Sequence, residues 1–317
     1  MTKQTKIKHY TKRDYAAFAY LAPWIIGMLV LQLYPFLSSL VYSFCNYKIT
    51  GTPSFTGLNN YIQLFTMDNE FWNSLKVTLA YTLYTVPGKL VMALAVAVFL
   101  NRDIKGINLI RTLYYIPSLF GGSVAVALLW KIMFMDNGVI NAILTTLHLP
   151  NVQWLGDPNQ ALRTICMMEI WQFGSSMVMF LAALKNVPAD LYEAAEIDGA
   201  SELKTFWKIM VPLSVPVNVT VGLFTGLAYW NDWINALYYV DDPVYYGIQN
   251  FLVRMMNNIQ FLSSGNAAAM VGSGMASLPS TGIRMALAVV GVLPIVVIYP
   301  FLQKYLTKGV IMGAVKG

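Results

Sequence analysis

A stretch rich in aromatic and amide side chains lies in the last third of this 317-residue chain. Aromatic faces stack on the C–H faces of sugar rings, while amides and carboxylates exchange hydrogen bonds with hydroxyl groups. The alternative is an aromatic belt at a membrane–water interface. Asp232 distinguishes the two, because a carboxylate within an apolar span usually faces a cavity or a partner. The candidate solute-binding residues are Tyr229, Trp230, Asn231, Asp232, Trp233 and Asn235.

Two further charges, Lys89 and Glu169, also lie within long apolar stretches. Counted from the inner ends of those stretches at 1.5 Å per residue, they lie at depths of about 16 and 22 Å. An isolated charge at mid-bilayer costs about 2.5–3.5 kcal/mol on insertion scales. We therefore predict a buried ion pair between Lys89 and Glu169, with pore lining by the same side chains as the alternative.

The stretch 190–202 is acidic and contains no lysine or arginine. Its carboxylates are Asp190, Glu193, Glu196, Asp198 and Glu202. Pro188 suits the first turn of a helix, and Gly199 is free to take a positive φ. Ser201 can cap a second helix, which Pro212 is predicted to end. Because these acids would repel phosphate, DNA binding is a poor interpretation, and a helix lying on lipid would be rich in lysine and arginine instead. The pattern favours a helix–turn–helix that docks on a protein partner.

The composition predicts an all-α polytopic membrane protein. Of all residues 57% are apolar and only 11% are charged, against about 25% charged in ordinary soluble domains. The first apolar run has no charged residue between Tyr15 and Tyr47, which is too long for a signal peptide. Backbone groups in hydrocarbon must be hydrogen-bonded within the segment, so each span should be a helix of about 20 residues. The predicted spans are 18–44, 77–100, 112–134, 163–184, 214–240 and 283–303.

Six crossings put both termini on the same side of the membrane. With that side cytoplasmic, the inner segments carry about two thirds of the 21 basic residues, as the positive-inside rule requires. The predicted divisions are a cytoplasmic N-terminal segment 1–17, a six-span domain 18–303 with a cytoplasmic loop 185–212, and a cytoplasmic tail 304–317.

Residues for catalysis or metal binding are sparse. The two cysteines, Cys45 and Cys166, are predicted to be free thiols, with a disulfide between them as the alternative. No Cys/His cluster has metal-ligand spacing, and no catalytic constellation is evident. The chain also lacks a G-x-x-x-x-G-K-[ST] phosphate loop, so it should not hydrolyse ATP alone. We expect neither an enzyme nor a bound metal or cofactor.

The acidic stretch carries a resemblance to a known family. One motif resembles the EAA loop of ABC-importer permeases. It consists of E-A-A from Glu193, three residues, Gly199, nine residues, Ile209, one residue and then Val211-Pro212, with Val in place of the usual Leu before the proline. The fuller string Y-E-A-A-E-I-D-G-A-S-E-L-K-T-F-W-K-I-M-V-P resembles the carbohydrate-uptake branch. Further similar strings are L-A-P-W at 21–24, N-L-I-R-T-L-Y-Y-I-P at 108–117 and W-L-G-D-P at 154–158.

The resemblance implies the type I ABC-importer permease fold and an ATPase-coupling role for the loop. Glu193 would be the polar contact to the ATPase and Gly199 the turn. The implied coupling residues are Glu193, Ala194, Ala195, Asp198, Gly199, Ile209 and Pro212. The implied partners are a cytoplasmic ABC ATPase dimer that uses ATP, a second permease subunit and an extracellular solute-binding protein, with lipid around the chain and no nucleic acid.

The N-terminal and C-terminal parts of the chain resemble different types of permease. Residues 1 to about 212 resemble the first of two paired permease types. Three later segments resemble the second type: G-L-A-Y-W-N-D-W-I-N-A-L at 226–237, R-M-M-N-N-I-Q-F-L at 254–262 and the tail at 304–317. A recombined chain and an unusual natural member both account for this pattern. A recombined chain would put its pairing with a second permease in doubt, and a homodimer is then an alternative.

These features together predict a permease subunit of an ATP-driven importer in the cell membrane, carrying oligosaccharides or related glycans. The alternatives are a secondary transporter, an ABC permease for amino acids or phosphate esters, and a membrane enzyme. A secondary transporter should show mid-membrane carboxylates with broken helices in matched halves, and the sequence shows only Glu169 clearly.

Overall fold

The computed structural model describes residues 12–47, 52–102, 105–263 and 281–314. Contacts divide the chain into two compact units, one of residues 1–67 and 273–290 and the other of residues 68–272 and 291–317. In the described part of the first unit, the strands β1 (Cys45–Asn46) and β2 (Ser54–Phe55) pair antiparallel. The other regular elements described are helical.

The helices are numbered along the chain. They are α1 Lys12–Met28, α2 Tyr34–Tyr42, α3 Asn59–Thr66, α4 Asn69–Leu100, α5 Ile107–Leu119, α6 Val124–Phe134, α7 Val139–Thr146, α8 Pro158–Trp171, α9 Gly174–Lys185, α10 Ala189–Ile197, α11 Glu202–Thr205, α12 Val211–Trp230, α13 Ile234–Tyr239, α14 Ile248–Ser263 and α15 Thr281–Ala314. Two π-helical turns, Leu29–Leu33 and Phe206–Met210, join α1 to α2 and α11 to α12, and a 3-10 turn covers Pro243–Tyr245.

The described helices confirm the prediction of a polytopic all-α protein. Five helical stretches are long and apolar enough to cross a membrane: Phe18–Tyr42, Asn69–Leu100, Val124–Thr146, Phe206–Trp230 and Thr281–Gln303. A sixth arises if Gln160–Trp171 and Gly174–Lys185, which are bent by 44° at their junction, form one span.

The first span has an almost wholly exposed apolar surface. None of the residues in the most apolar part of Phe18–Tyr42 is buried within the protein, and Trp24 and Leu31 are 67% and 76% exposed. A stable soluble monomer rarely exposes such a continuous apolar surface to water. The surface therefore requires lipid or another chain against it.

The side chain of Asn60 on α3 holds the backbone that follows the first span in place by hydrogen bonds. Its side chain is 3% exposed, and its amide nitrogen donates to the carbonyl oxygens of Ser43 at 2.8 Å and Cys45 at 2.9 Å. These two carbonyls lie where the chain leaves α2 and enters β1. One amide thus satisfies two backbone acceptors that would otherwise be buried without partners.

Replacing Asn60 by alanine is expected to lower the free energy of unfolding by about 1–3 kcal/mol, because it strands two buried carbonyl oxygens. Asn59→Ala is the matched control, since the neighbouring Asn59 is exposed. Thermal unfolding of the detergent-solubilised chain measures both variants. Equal melting temperatures for the two would show that the Asn60 hydrogen bonds contribute nothing to stability.

The second unit is organised around α4. This helix packs against α8, α9 and α12, and α9 also packs against α5 and α12. At one end of α4, small residues allow close approach of bulky ones on α9. This apolar cluster contains Ala93, Ala97, Leu100, Met177, Phe180, Leu184 and Val221. α4 is therefore the element against which the neighbouring helices fix their positions.

Besides 163–184, which is bent between α8 and α9, two predicted spans are interrupted, which corrects the boundaries 112–134 and 214–240. The first is broken between α5 and α6, where Gly122 has a φ of +81° and the chain turns. A left-handed residue cannot continue an α-helix. The second ends at Trp230, and the short α13 follows after residues 231–233. Apolar composition alone did not reveal either break.

Pro212 does not end the second helix of the acidic loop, contrary to the prediction. The N–H of Val211 donates to the carbonyl of Phe206, five residues back, in the π-helical turn. Pro212 directly follows this π-helical turn, and the helical backbone continues through it from Glu202 to Trp230. The candidate span consequently begins at Phe206. The segment predicted as a tail is likewise helical as far as Ala314.

Candidate functional site

The break at the end of α12 is held by side-chain hydrogen bonds. The indole N–H of Trp230 donates to the carbonyl of Gly291 at 2.9 Å. Asp232 Oδ1 accepts from the backbone N–H groups of Ile234 at 3.0 Å and Asn235 at 3.1 Å. These bonds replace the helical ones that the break removes. Asp232 and Asn235 are thereby fixed inside the second unit.

A set of six polar side chains, which we call the polar network, comes together at this break. Tyr81 and Lys89 lie on α4, Glu169 on α8, Tyr229 on α12, Asn235 on α13, and Asp232 in the break. Tyr81 and Tyr229 are buried, and the other four side chains are half-buried. In an otherwise apolar bundle, such groups must be hydrogen-bonded to one another or to solvent.

Asn235 joins the two carboxylates of the polar network. Its amide nitrogen is 2.6 Å from Asp232 Oδ2 and 2.9 Å from Glu169 Oε1, so its two N–H groups can donate one bond to each. The Tyr81 hydroxyl donates a further bond to Asp232 Oδ2 at 2.9 Å. Together with the two backbone donors on Oδ1, Asp232 therefore accepts from four N–H or O–H groups.

Lys89 and Glu169 meet through a shared partner. The Lys89 ammonium donates to the Tyr229 hydroxyl at 2.7 Å, and that hydroxyl donates to Glu169 Oε2 at 3.0 Å. The ammonium also lies 5.1 Å from the centroid of the Tyr229 ring. The two charges thus lie in one hydrogen-bonded chain, with Tyr229 in the place where the sequence predicted direct contact.

Two cavities meet at the polar network. The basic cavity, of about 350 Å³, contains Lys76 and Arg163 in its lining. The central cavity, of about 560 Å³, contains Lys89 and Glu169 together with several hydroxyl and amide side chains. Three network residues line both cavities: Tyr229, Asp232 and Asn235. The polar network therefore forms a wall between the two cavities.

The structure separates Trp230 from the other candidate solute-binding residues. Five of the six line the central cavity: Tyr229, Asn231, Asp232, Trp233 and Asn235. Trp230 is 7% exposed and is directed instead at the Gly291 carbonyl and an apolar cleft. Asn231 accepts a bond from the Gln249 amide at 3.0 Å. Trp230 therefore holds the break in place and does not face the central cavity.

Sequence reasoning missed several side chains of this region. Tyr81 lies eight residues before Lys89 on α4, a little over two helical turns, which places both on one face. That spacing was the available signal for Tyr81. Gln172 and the hydroxyl pair Ser118 and Ser175, 3.0 Å apart, also line the central cavity, but their sequence context does not distinguish them.

Among the described residues, no group of three or more His, Cys, Asp or Glu side chains is placed to hold a metal ion.

The acidic loop forms α10, a turn and α11. Gly199 has a φ of +68°, which confirms the predicted turn conformation, and Ser201 Oγ accepts from the backbone N–H of Lys204 at 3.4 Å. Ala195 packs inward, and Ile209 is half-buried. The remaining predicted coupling residues are exposed: Glu193, Ala194, Asp198, Gly199 and Pro212.

The same loop presents apolar side chains next to its exposed carboxylates. Ile197 is 86% exposed, and Trp207, in the π-helical turn directly after α11, is 65% exposed. In contrast, the Tyr192 hydroxyl is buried and has no hydrogen-bond partner among the described residues, and this burial raises the pKa of the Tyr192 phenol. The loop thus combines an apolar contact surface with negative charge, a composition suited to a protein partner.

Tyr81→Phe is expected to lower the free energy of unfolding by about 1–2 kcal/mol, because Asp232 Oδ2 loses one of its two side-chain donors. Tyr84→Phe is the matched control on the same helix, since Tyr84 is 67% exposed and has no bond to the network. Thermal unfolding in detergent compares the two variants. A larger destabilisation by Tyr84→Phe would contradict the hydrogen bonding described for Asp232.

The family model described as "Binding-protein-dependent transport system inner membrane component" matches residues 65–312. The chain belongs to this family, which consists of transporter permease subunits and not of enzymes. It is 43% identical to the probable ABC transporter permease protein YesP of Bacillus subtilis (strain 168), over 67% of this chain and 69% of that protein. It is 34% identical to the arabinooligosaccharides transport system permease protein AraP of the same organism, over 67% of each.

The solved structures show the same fold. A chain of a bacterial alginate ABC transporter, solved in complex with an alginate pentasaccharide-bound periplasmic protein, matches with a TM-score of 0.71 at 22% identity. The match covers 92% of this chain and 93% of that chain. The predicted ABC permease fold is therefore confirmed, and this protein is an integral membrane permease subunit of the ABC transporter class.

Proposed function

We propose that this chain forms part of the route by which an ATP-driven importer carries oligosaccharides or related glycans across the cell membrane. The observation that carries the proposal is the central cavity within the apolar bundle. Its lining combines aromatic rings with amide, hydroxyl and carboxylate groups, including Tyr229, Trp233, Gln172 and Asp232. Rings and hydrogen-bonding groups in one cavity suit a polyhydroxylated solute.

The names of the relatives support a glycan solute. Besides the arabinooligosaccharide permease, the chain is 31% identical to the probable starch degradation products transport system permease protein AmyD of Thermoanaerobacterium thermosulfurigenes, over 72% of this chain and 76% of that protein. It is also 36% identical to the sulfoquinovosyl glycerol transport system permease protein SmoG of Agrobacterium fabrum. These solutes share sugar rings and differ in charge and linkage.

In the proposed assembly the chain works with a cytoplasmic ABC ATPase dimer, which uses the ATP, a second permease and an extracellular solute-binding protein. The N- and C-termini are cytoplasmic in this proposal, as the distribution of basic residues favours. The exposed acidic loop then faces the ATPase, and the end of α4 at Asn69 faces outward. The basic cavity, lined by Lys76, lies toward that outer end.

Uptake by the complex reconstituted into proteoliposomes tests the solute class. We expect ATP-driven accumulation of oligosaccharides and no accumulation of amino acids or sugar-free phosphate esters. Accumulation of an amino acid or a phosphate ester in preference to every glycan would overturn the proposed solute class while leaving the permease family untouched.

A further inference from the structure

The basic cavity has two cationic side chains on separate helices. Lys76 lies on α4, two turns from its start, and Arg163 lies near the start of α8. Both side chains are exposed, and neither has an ion-pair partner within the part of the chain that the structure describes. A third basic residue nearby in the second unit, Lys131, lies outside this cavity and contacts Asp241 at 3.4 Å.

The carboxylate in the basic cavity does not neutralise these cations. Asp232 is the one acidic residue in the described lining. Its Oδ1 accepts from two backbone N–H groups, and its Oδ2 accepts from Tyr81 and Asn235. Four donors already satisfy the lone pairs of this carboxylate. Within the described residues no ion pair joins Asp232 to Lys76 or Arg163, so both cations can bind a negative group that enters the cavity.

The rest of the lining suits a sugar ring. Tyr84 is 67% exposed, and Tyr245 and Asn73 also line the basic cavity. A phenol ring can stack on the C–H face of a sugar, while guanidinium and ammonium groups make charge-assisted hydrogen bonds to a carboxylate. The volume, about 350 Å³, is in the usual range of small-molecule sites.

We propose that the basic cavity binds the carboxylate of an acidic oligosaccharide, built of uronic acid units, with Lys76 and Arg163 as the charge-selecting residues. The proposal rests on the proposed function and narrows its solute class from glycans in general to anionic ones. A neutral glycan would leave both cations without a counter-charge. From this cavity the solute reaches the central cavity only when the polar network separates, because Tyr229, Asp232 and Asn235 line both.

Direct binding of defined probes to the full complex tests the proposal. The permease, with its ATPase and second permease, is placed in phosphatidylcholine nanodiscs without the solute-binding protein. Trigalacturonate and maltotriose serve as the acidic and neutral probes of equal length in calorimetric titrations. We expect the double variant Lys76→Gln with Arg163→Gln to bind trigalacturonate at least about tenfold more weakly, as expected for loss of charge-assisted bonds. Maltotriose binding should be unchanged, and Lys131→Gln should alter neither.

Three results would overturn the proposal. One is equal trigalacturonate affinity in the wild type and the double variant, and another is equal or tighter binding of maltotriose by the wild type. The third is tighter binding of phosphatidylglycerol than of trigalacturonate by the wild type, lost in the double variant, which would identify a lipid headgroup site. The proposed function fails separately, if the complete importer accumulates no glycan of either charge in the presence of ATP.

Discussion

Gly199→Trp is expected to reduce ATP-driven uptake by at least about 100-fold, equivalent to about 2.7 kcal/mol of lost docking free energy. Apart from its two chain neighbours, a Cβ at Gly199 would meet no atom of the described residues within 4 Å, so the indole would project outward from the turn between α10 and α11. That is the surface on which the ATPase is proposed to dock. Co-purification of the ATPase with the permease measures the same docking directly, and it should be lost.

The backbone of Gly199 requires a control for strain. Its φ of +68° costs an ordinary residue about 1–2 kcal/mol, whereas asparagine adopts this conformation more readily. Gly199→Asn should therefore retain most of the uptake and all of the ATPase binding. If Gly199→Trp kept a normal amount of bound ATPase, the docking role of this turn would be wrong.

Glu169→Lys is expected to abolish uptake and to lower the free energy of unfolding by about 3 kcal/mol, because it leaves two like charges on one hydrogen-bonded chain within the bundle. Two ammonium groups would then compete for the Tyr229 hydroxyl, and the Asn235 amide N–H would point at a cation instead of a carboxylate. Glu169→Gln is the control, because its amide oxygen can still accept from Asn235. Uptake and thermal unfolding are measured on all variants.

Exchange of the two charges, Lys89→Glu with Glu169→Lys, is expected to recover only part of the loss. Tyr229 can serve the exchanged pair equally well, since its hydroxyl both donates and accepts. Asn235 cannot, because turning its carbonyl oxygen toward Lys at 169 would also turn it toward Asp232, to which its N–H now donates. Full recovery by the exchange would show that the contact between Asn235 and Glu169 is unimportant.

The sequence predicted the helical class, the approximate spans and the turn at Gly199, because apolar composition and glycine conformation are local properties. It also placed Lys89 and Glu169 within apolar helices, whereas Asp232, predicted within a span, lies in the break after α12. It did not predict that Tyr229 lies between the first two, since counting residues along a helix gives depth but not the direction in which a side chain points. That direction depends on how α4, α8 and α12 pack together.

The sequence did not reveal the breaks in the helices, for a related reason. Residues 231–233 are Asn, Asp and Trp within an otherwise apolar and aromatic stretch, and α12 ends at Trp230, where Asp232 accepts from the following backbone. The predicted span therefore ran too far, and Trp230 was grouped with cavity residues although it is directed at Gly291. The bond from Trp230 to Gly291 is tertiary and leaves no periodic signature in the sequence.

The combination of two permease types in one chain stays a prediction. The polar network joins Lys89 and Glu169, from the part that resembles the first type, to Asp232 and Asn235, from the part that resembles the second. A recombined chain would thus have kept a complete set of hydrogen bonds across its junction. Reads that span the genomic locus decide the matter: a contiguous gene supports a natural member, and two separate intact genes support recombination.

ATP dependence of uptake tests the central claim most directly, namely that this chain is a permease driven by a separate ATPase. Proteoliposomes with the permease pair and the solute-binding protein are compared with and without the ATPase subunits, with ATP on the ATPase side and no ion gradient. We predict glycan accumulation only when both the ATPase and ATP are present. A second series without the ATPase applies an ion gradient; accumulation there would contradict the account and identify a secondary transporter.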